Sequence, residues 1–188
     1  MTENTSEREA LGFFLQPFQQ ETGLHSPLES ALRDARVTMQ HGEALWLATV
    51  GYFMTAEMLG RTVGKIPTAY KDREPEWRCF EAGMIEFAES PIDGPSRQSL
   101  WNLRCALVHQ YSLRFESRRG GIVETFVLTQ EGPICRPVAG PITTQVNVRA
   151  VGQYVEGVIR AARSSYDNGE IQLVADVDEV LSGGFFVP

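Results

Sequence analysis

An arginine and a histidine five positions apart are the residues of this chain best suited to chemistry on a phosphodiester. Arg104 and His109 lie in the segment 100–111, Leu-Trp-Asn-Leu-Arg-Cys-Ala-Leu-Val-His-Gln-Tyr, which has the pattern of an apolar helix ending before a strand. A guanidinium stabilises charge on a phosphate, and an imidazole exchanges protons near neutral pH. Held together on a packed element, the pair would bind and cleave a phosphodiester.

The spacing of this pair constrains its geometry. Residues five apart on an ideal helix point about 140° from each other, so we expect a distorted helix end or a second copy of the chain to bring the groups together. Arg36 and His41 have the same spacing in the sequence. The structural alternative is that Arg104 pairs with a carboxylate and His109 closes the helix C-terminus, where a partly positive imidazole is favoured.

Further candidates surround the pair. Asn102, Cys105 and Tyr111 are predicted binding residues on the same segment, and Arg36 with His41 predicts a second polar site facing the same cleft. Cys105 and His109 are four apart on one helical face, which allows a thiol–imidazole dyad or half of a metal site. The alternatives are a buried free cysteine and a surface joint between two helices at position 41.

Composition limits the class of protein. The net charge is -7 and the pI is about 5.0, which argues against a general nucleic-acid coat protein. Hydrophobic residues make up 43% of the chain, enough to bury a sizeable core. The three cysteines are widely spaced and lack a CxxC pattern, so we expect neither disulfides nor structural zinc, and a reducing cytoplasm. The N-terminus does not resemble a signal peptide, and no apolar run approaches membrane-spanning length. We therefore expect a soluble protein with no membrane partner.

Hydrophobic periodicity predicts an α+β fold that is mainly α: about four helices in a bundle, a small antiparallel sheet and a long C-terminal helix. The domain boundaries are an N-terminal arm over 1–25, a bundle over 26–111, and a β-hairpin plus helix over 112–188, all within one globular domain. Predicted helices begin at Ser26, at 43, at 75 and near a capping Ser96, with the long helix over 146–166. Predicted strands cover 112–117, 122–129 and 134–138, with a turn at 118–121.

The segment from Leu103 to His109 resembles the HEPN superfamily. Members are small helical bundles with an arginine, four to six residues and then a histidine on a late helix, and the Leu-Val-His-Gln-Tyr ending is also similar. The resemblance covers roughly residues 26–111. It implies a homodimer and a ribonuclease or RNA-binding protein of a toxin–antitoxin or defence system, with RNA and a cognate antitoxin or operon partner as candidate partners.

The same resemblance implies a metal-independent and cofactor-free mechanism. His109 would act as general base toward a ribose 2′-hydroxyl, or as acid for the leaving oxygen, while Arg104 stabilises charge on the phosphate. Catalytic members usually carry Asn, Asp or His directly after the arginine, where this chain has Cys105, and a thiol orients other groups poorly.

Two other functions fit the sequence. One is a non-catalytic HEPN-like module that dimerises and mediates interactions within a complex. The other is a small-molecule binding protein with a pocket between the bundle and the hairpin. The position of Arg104 and His109 relative to solvent separates these possibilities from a ribonuclease.

Overall fold

The computed structural model describes residues 5–19, 24–41, 44–63, 75–117, 123–138 and 142–173, and it has the mainly α, α+β fold that the sequence predicts. In chain order the helices are α1 (Thr5–Leu15), α2 (Pro27–Gln40), α3 (Leu45–Val63), α4 (Pro75–Ile85), α5 (Gly94–His109) and α6 (Val148–Asp167). The strands are β1 (Phe18–Gln19), β2 (Leu24–His25), β3 (Arg114–Glu116), β4 (Val123–Thr129), β5 (Cys135–Val138) and β6 (Thr143–Asn147).

Side chains at the helix N-termini fix where three of the helices begin. The Ser26 hydroxyl accepts a hydrogen bond from the backbone N–H of Glu29, as expected for a cap before Pro27. The predicted cap at Ser96 is wrong, because Asp93 caps α5 by accepting from the backbone N–H of Ser96. Asn147 caps α6 in the same way.

The four-stranded sheet is mixed, and this corrects the expectation of an antiparallel sheet. Its strand order is β3-β4-β6-β5, with β4 and β6 parallel and the other pairs antiparallel. Strand β6 occupies residues that the sequence pattern assigned partly to the long helix. Thr144 and Val146 alternate inward at period two, so the chain stays extended until the Asn147 cap.

Two glycines bring α3 and α4 into close contact. A methyl group built on Gly60 would overlap the carbonyl oxygen of Cys79 and the backbone nitrogen of Gly83. A methyl group on Gly83 would overlap the carbonyl oxygen of Ala56. The absence of side chains at both positions therefore sets the distance between the two helices, and it places the last turns of α3 directly beside α4.

A single hydrophobic core joins the helices to the inner face of the sheet. The N-terminal arm belongs to it, because Leu11, Phe14 and Leu15 of α1 are fully buried in the same chain. Trp77 and Trp101 are core residues, with ring centroids 5.3 Å apart. Trp46 is 44% exposed.

The predicted turn at 118–121 lies outside the described residues. Within the described ranges, no helix combines the length and apolar character needed to cross a membrane. The three cysteines are free thiols.

Candidate functional site

Arg104 and His109 are in direct contact at the end of α5. The Nη1 atom of Arg104 lies 2.8 Å from Nε2 of His109. The long arginine side chain reaches His109 within one chain, so the pair forms without a second copy, which was one of the two routes expected from the helix geometry. At this distance the two groups lie side by side, as predicted.

The two members of the pair differ in exposure. His109 is exposed, whereas Arg104 is 5% exposed. The guanidinium lies 5.0 Å from the ring centroid of Trp101, a distance suited to a cation–π interaction. Arg104 is therefore buried, whereas the imidazole that it contacts is exposed to solvent.

The contact also decides which nitrogen of His109 carries the proton. A guanidinium has only N–H donors, so Nε2 of the imidazole must accept the hydrogen bond. The neutral ring then carries its proton on Nδ1. In this arrangement Nε2, the atom with the free lone pair of a general base, is occupied by Arg104 and is not available to a 2′-hydroxyl.

A carboxylate of α3 holds the other side of the guanidinium. Glu57 accepts three hydrogen bonds from Arg104: Oε2 lies 3.1 Å from Nε and 2.8 Å from Nη2, and Oε1 lies 3.1 Å from Nη2. The side chains of Arg104 and Glu57 are 6% and 15% exposed. This forked geometry satisfies the guanidinium and cancels its charge, which is the pairing foreseen in the structural alternative.

Glu57 was not among the residues predicted from the sequence, although a signal for it was present. It is the one acidic residue of α3, a helix whose side chains are buried around most of its circumference. A lone carboxylate in such a helix needs a buried partner. Burial raises the pKa of Glu57 above its ordinary value of 4.5, against the attraction of Arg104, with smaller effects from Glu76 and Arg61.

The chain leaves α5 through a strained residue. Tyr111 has φ of 48°, in the left-handed region, and is 87% exposed. The backbone N–H groups of Gln110 and Ser112 both donate to the carbonyl oxygen of Ala106. A bulky residue at positive φ costs about 1–2 kcal/mol, so this turn is held by its hydrogen bonds. Tyr111 is thus presented to solvent two residues after His109, and its role in binding stays a prediction.

Asn102 is not part of this arrangement, and its assignment there is corrected. It is buried on a different face of α5, where its Nδ2 atom donates to Oε2 of Glu124 at 2.8 Å and its Oδ1 atom accepts from Gln98. Residues two apart on a helix point about 200° from each other, which explains the separation from Arg104.

Glu124 is a second buried carboxylate that the sequence analysis missed. It is 5% exposed and lies on β4. Its Oε1 atom accepts hydrogen bonds of 2.7 Å from Ser99 of α5 and from Thr144 of β6. The signal was the strand alternation, which places Glu124 on the same inward face as Phe126. The network ties α5 to the sheet.

The second polar site predicted at Arg36 and His41 is not assembled. Arg36 donates to Glu156 of α6 and to Glu29 of its own helix. These contacts raise the pKa of Arg36 above its ordinary value, and Glu156 has the larger effect. His41 caps the C-terminus of α2 and is exposed. Arg36 thus links α2 to α6, and the helix-joint alternative describes His41.

Among the described residues, the cysteines are not grouped into a metal site. Cys105 is half-buried and packs against the core. Burial raises the pKa of the Cys79 thiol, with a further contribution from the charge of Glu57. Over the described parts of the chain, no three His, Cys, Asp or Glu side chains are grouped closely enough to bind a metal ion.

Comparison with protein-family models, with curated proteins and with solved structures gave no significant match. The resemblance to HEPN proteins therefore rests on the sequence pattern alone.

Proposed function

We propose that this chain is a HEPN-like module without ribonuclease activity that acts by pairing with a second copy of itself. The observation that carries the loss of activity is the forked contact between Glu57 and Arg104. A guanidinium that is 6% exposed and already bound to a carboxylate has neither the space nor the net charge to hold a phosphate.

The occupied Nε2 atom of His109 supports the same proposal. Proton abstraction from a ribose hydroxyl needs a free imidazole lone pair. Here Arg104 donates to that atom, and Nδ1 carries the proton of the neutral ring. The Cys105 position, where catalytic HEPN proteins carry a polar orienting side chain, agrees with this absence of catalysis.

An apolar stripe on α3 supports the pairing. Trp46, Leu47 and Met54 are 40–46% exposed, and with the partly buried Val50 they follow helical spacing on one side of the helix. Exposed apolar clusters of this kind mark interaction surfaces, and tryptophan is frequent at their centres.

The absence of charge along the stripe is compatible with a second copy as the occupant. No charged residue lies in α3 before Glu57, so the stripe itself is neutral. Two chains that each carry a net charge of -7 can approach through such a face without placing like charges at the centre. In a two-fold pair the same stripe would contact itself.

Mass measurement in solution tests the pairing. We expect a dimer for the wild-type chain and a monomer for Trp46→Glu, measured by sedimentation across a concentration series. Val127→Glu is the matched control, because Val127 is 47% exposed on the sheet. A wild-type monomer at high concentration, or a control that dissociates as readily, would contradict the proposal.

A ribonuclease is the second candidate, and the exposure of the His109 imidazole at the end of α5 favours it. Incubation with structured RNA in the presence of a chelator separates the two. Cleavage that is lost in both Arg104→Ala and His109→Ala would support the enzyme. Intact RNA with folded wild-type protein supports the non-catalytic module.

A further inference from the structure

An ion pair between Glu57 and Arg104 connects α3 to the last turns of α5. Glu57 holds Arg104 through three hydrogen bonds of 2.8–3.1 Å. Arg104 in turn donates to His109, the last residue of α5. The order of the last helical turn is thus linked to the position of one guanidinium.

The conformation of the last turn of α5 depends on the position of that guanidinium. Beyond His109, the strained Tyr111 is held in its conformation by a turn that closes on the Ala106 carbonyl oxygen. Neither His109 nor Tyr111 is covered by the core, since both are exposed. Loss of the Arg104 contact would therefore leave the exposed end of the helix with fewer restraints.

The charges around Glu57 act in opposite directions. Arg104 of α5 and Arg61 of α3 favour its ionised form, while Glu76 of α4 and burial favour its neutral form. Burial is the largest effect, and it raises the pKa of Glu57. Cys79 of α4 is coupled to the same carboxylate. The ion pair between Glu57 and Arg104 is thus less stable than its three hydrogen bonds suggest.

We propose that Glu57 is a protonation-operated latch on Arg104. Ionised Glu57 occupies the forked face of the guanidinium and holds the last turn of α5 against α3. Neutral Glu57 releases that face and lets Arg104 move toward the solvent beside His109. The inference rests on contacts within one chain and is independent of the proposed dimer.

Nuclear magnetic resonance of the full-length, isotopically labelled protein tests the latch. We expect the Nε–H signal of Arg104 at pH 7 to show contact with the Trp101 ring, and to lose it on acidification with the same midpoint as the carboxyl carbon of Glu57. Arg36, which donates from Nε to Glu156, is the internal reference. Arg104 signals that stay unchanged while Glu57 titrates would overturn the proposal.

Three variants assign the transition. Glu57→Gln should show the released state of Arg104 already at pH 7. Glu76→Gln removes a neighbouring negative charge, so we expect the transition to remain and to move to lower pH. His109→Gln keeps a hydrogen-bond acceptor for Arg104 but cannot titrate, and the transition should persist.

Disappearance of the transition in His109→Gln would assign it to the imidazole and contradict the role of Glu57. Circular dichroism establishes that each variant is folded. Should Glu57→Gln fail to fold, the wild-type titration decides alone, because it follows Glu57 and Arg104 in the same sample. These outcomes do not depend on whether the chain dimerises or acts on RNA.

Discussion

Arg104 donates a hydrogen bond to Nε2 of His109 across 2.8 Å. His109 cannot be the donor, because a guanidinium has no hydrogen-bond acceptor. The geometry of two side chains therefore fixes the chemical form of the imidazole. The contact also bears on function, since it occupies Nε2, the atom that a general base would use.

We predict that neutral His109 carries its proton on Nδ1. Long-range nitrogen–proton correlation spectra distinguish the two tautomers directly. In Arg104→Leu the constraint is gone, and we expect a mixture in which Nε2 is also protonated. His41, which is exposed at the C-cap of α2, serves as the comparison within the same spectrum. An Nε2-protonated ring in the wild-type protein would contradict the prediction.

Removal of Arg104 should destabilise the fold more than removal of the charge on Glu57. Arg104→Gln leaves a half-buried carboxylate without its counter-ion, which costs about 3–5 kcal/mol. In Glu57→Gln the guanidinium is no longer held by a carboxylate and can move to the solvent beside His109, and burial already disfavours the ionised carboxyl, so we expect a smaller loss. Urea unfolding at pH 7 measures both.

The control for that comparison is Arg114→Gln. Arg114 pairs with Glu116, and the two side chains are 58% and 60% exposed. Exposed ion pairs contribute about 0–1 kcal/mol, so the change in unfolding free energy should stay in that range. Equal losses in Arg104→Gln and Arg114→Gln would show that burial of the Arg104 pair is energetically unimportant.

The stability of the protein should depend on pH through Glu57. Its pKa in the folded state lies above the ordinary value of 4.5, so between these two values the folded chain binds more protons than the unfolded chain. This residue therefore adds stability as the pH falls through that window, and the contribution is lost as the pH rises again. The difference in unfolding free energy between wild type and Glu57→Gln, measured from pH 7 to 4.5, should show this slope. A constant difference would count against the raised pKa.

Alanine at Gly60 should disrupt the packing of α3 on α4. The added methyl group meets backbone atoms of Cys79 and Gly83, which cannot move aside as a side chain can. We expect a loss of at least 1–3 kcal/mol, roughly the cost of overpacking a core. Gly157→Ala in α6 is the control, because its methyl group meets only the end of the Arg160 side chain. That variant should gain about 0.5–1 kcal/mol from helix propensity, as thermal unfolding of both variants will show.

Cys135 should be inert toward alkylating reagents in the folded protein. Burial and the nearby charge of Glu124 raise the pKa of its thiol to about 12, so almost no thiolate is present at pH 8. Mass spectrometry after treatment with iodoacetamide at pH 8 measures the modification. The same residue should react fully once the chain is unfolded in urea. Rapid labelling of Cys135 in the native state would contradict this environment.

The order of the helices was predictable because periodic apolar residues and local caps determine it. Ser26 with Pro27 marks the beginning of α2 through a hydrogen bond between residues only three positions apart. The strand β6 was not predictable in the same way. Its residues Thr144 and Val146 suit a strand or a helix start, and its pairing with β4 depends on contacts distant in sequence.

The sequence by itself determined that Arg104 and His109 share the end of an apolar helix, because spacing along a chain becomes spacing along a helix. The tertiary structure alone decided what they contact. Glu57 lies 47 residues before Arg104, and only the packing of α3 against α5 brings its carboxylate to the guanidinium. Charge pairing and burial act through space, so the availability of Arg104 to a phosphate could not be inferred from its neighbours in the chain.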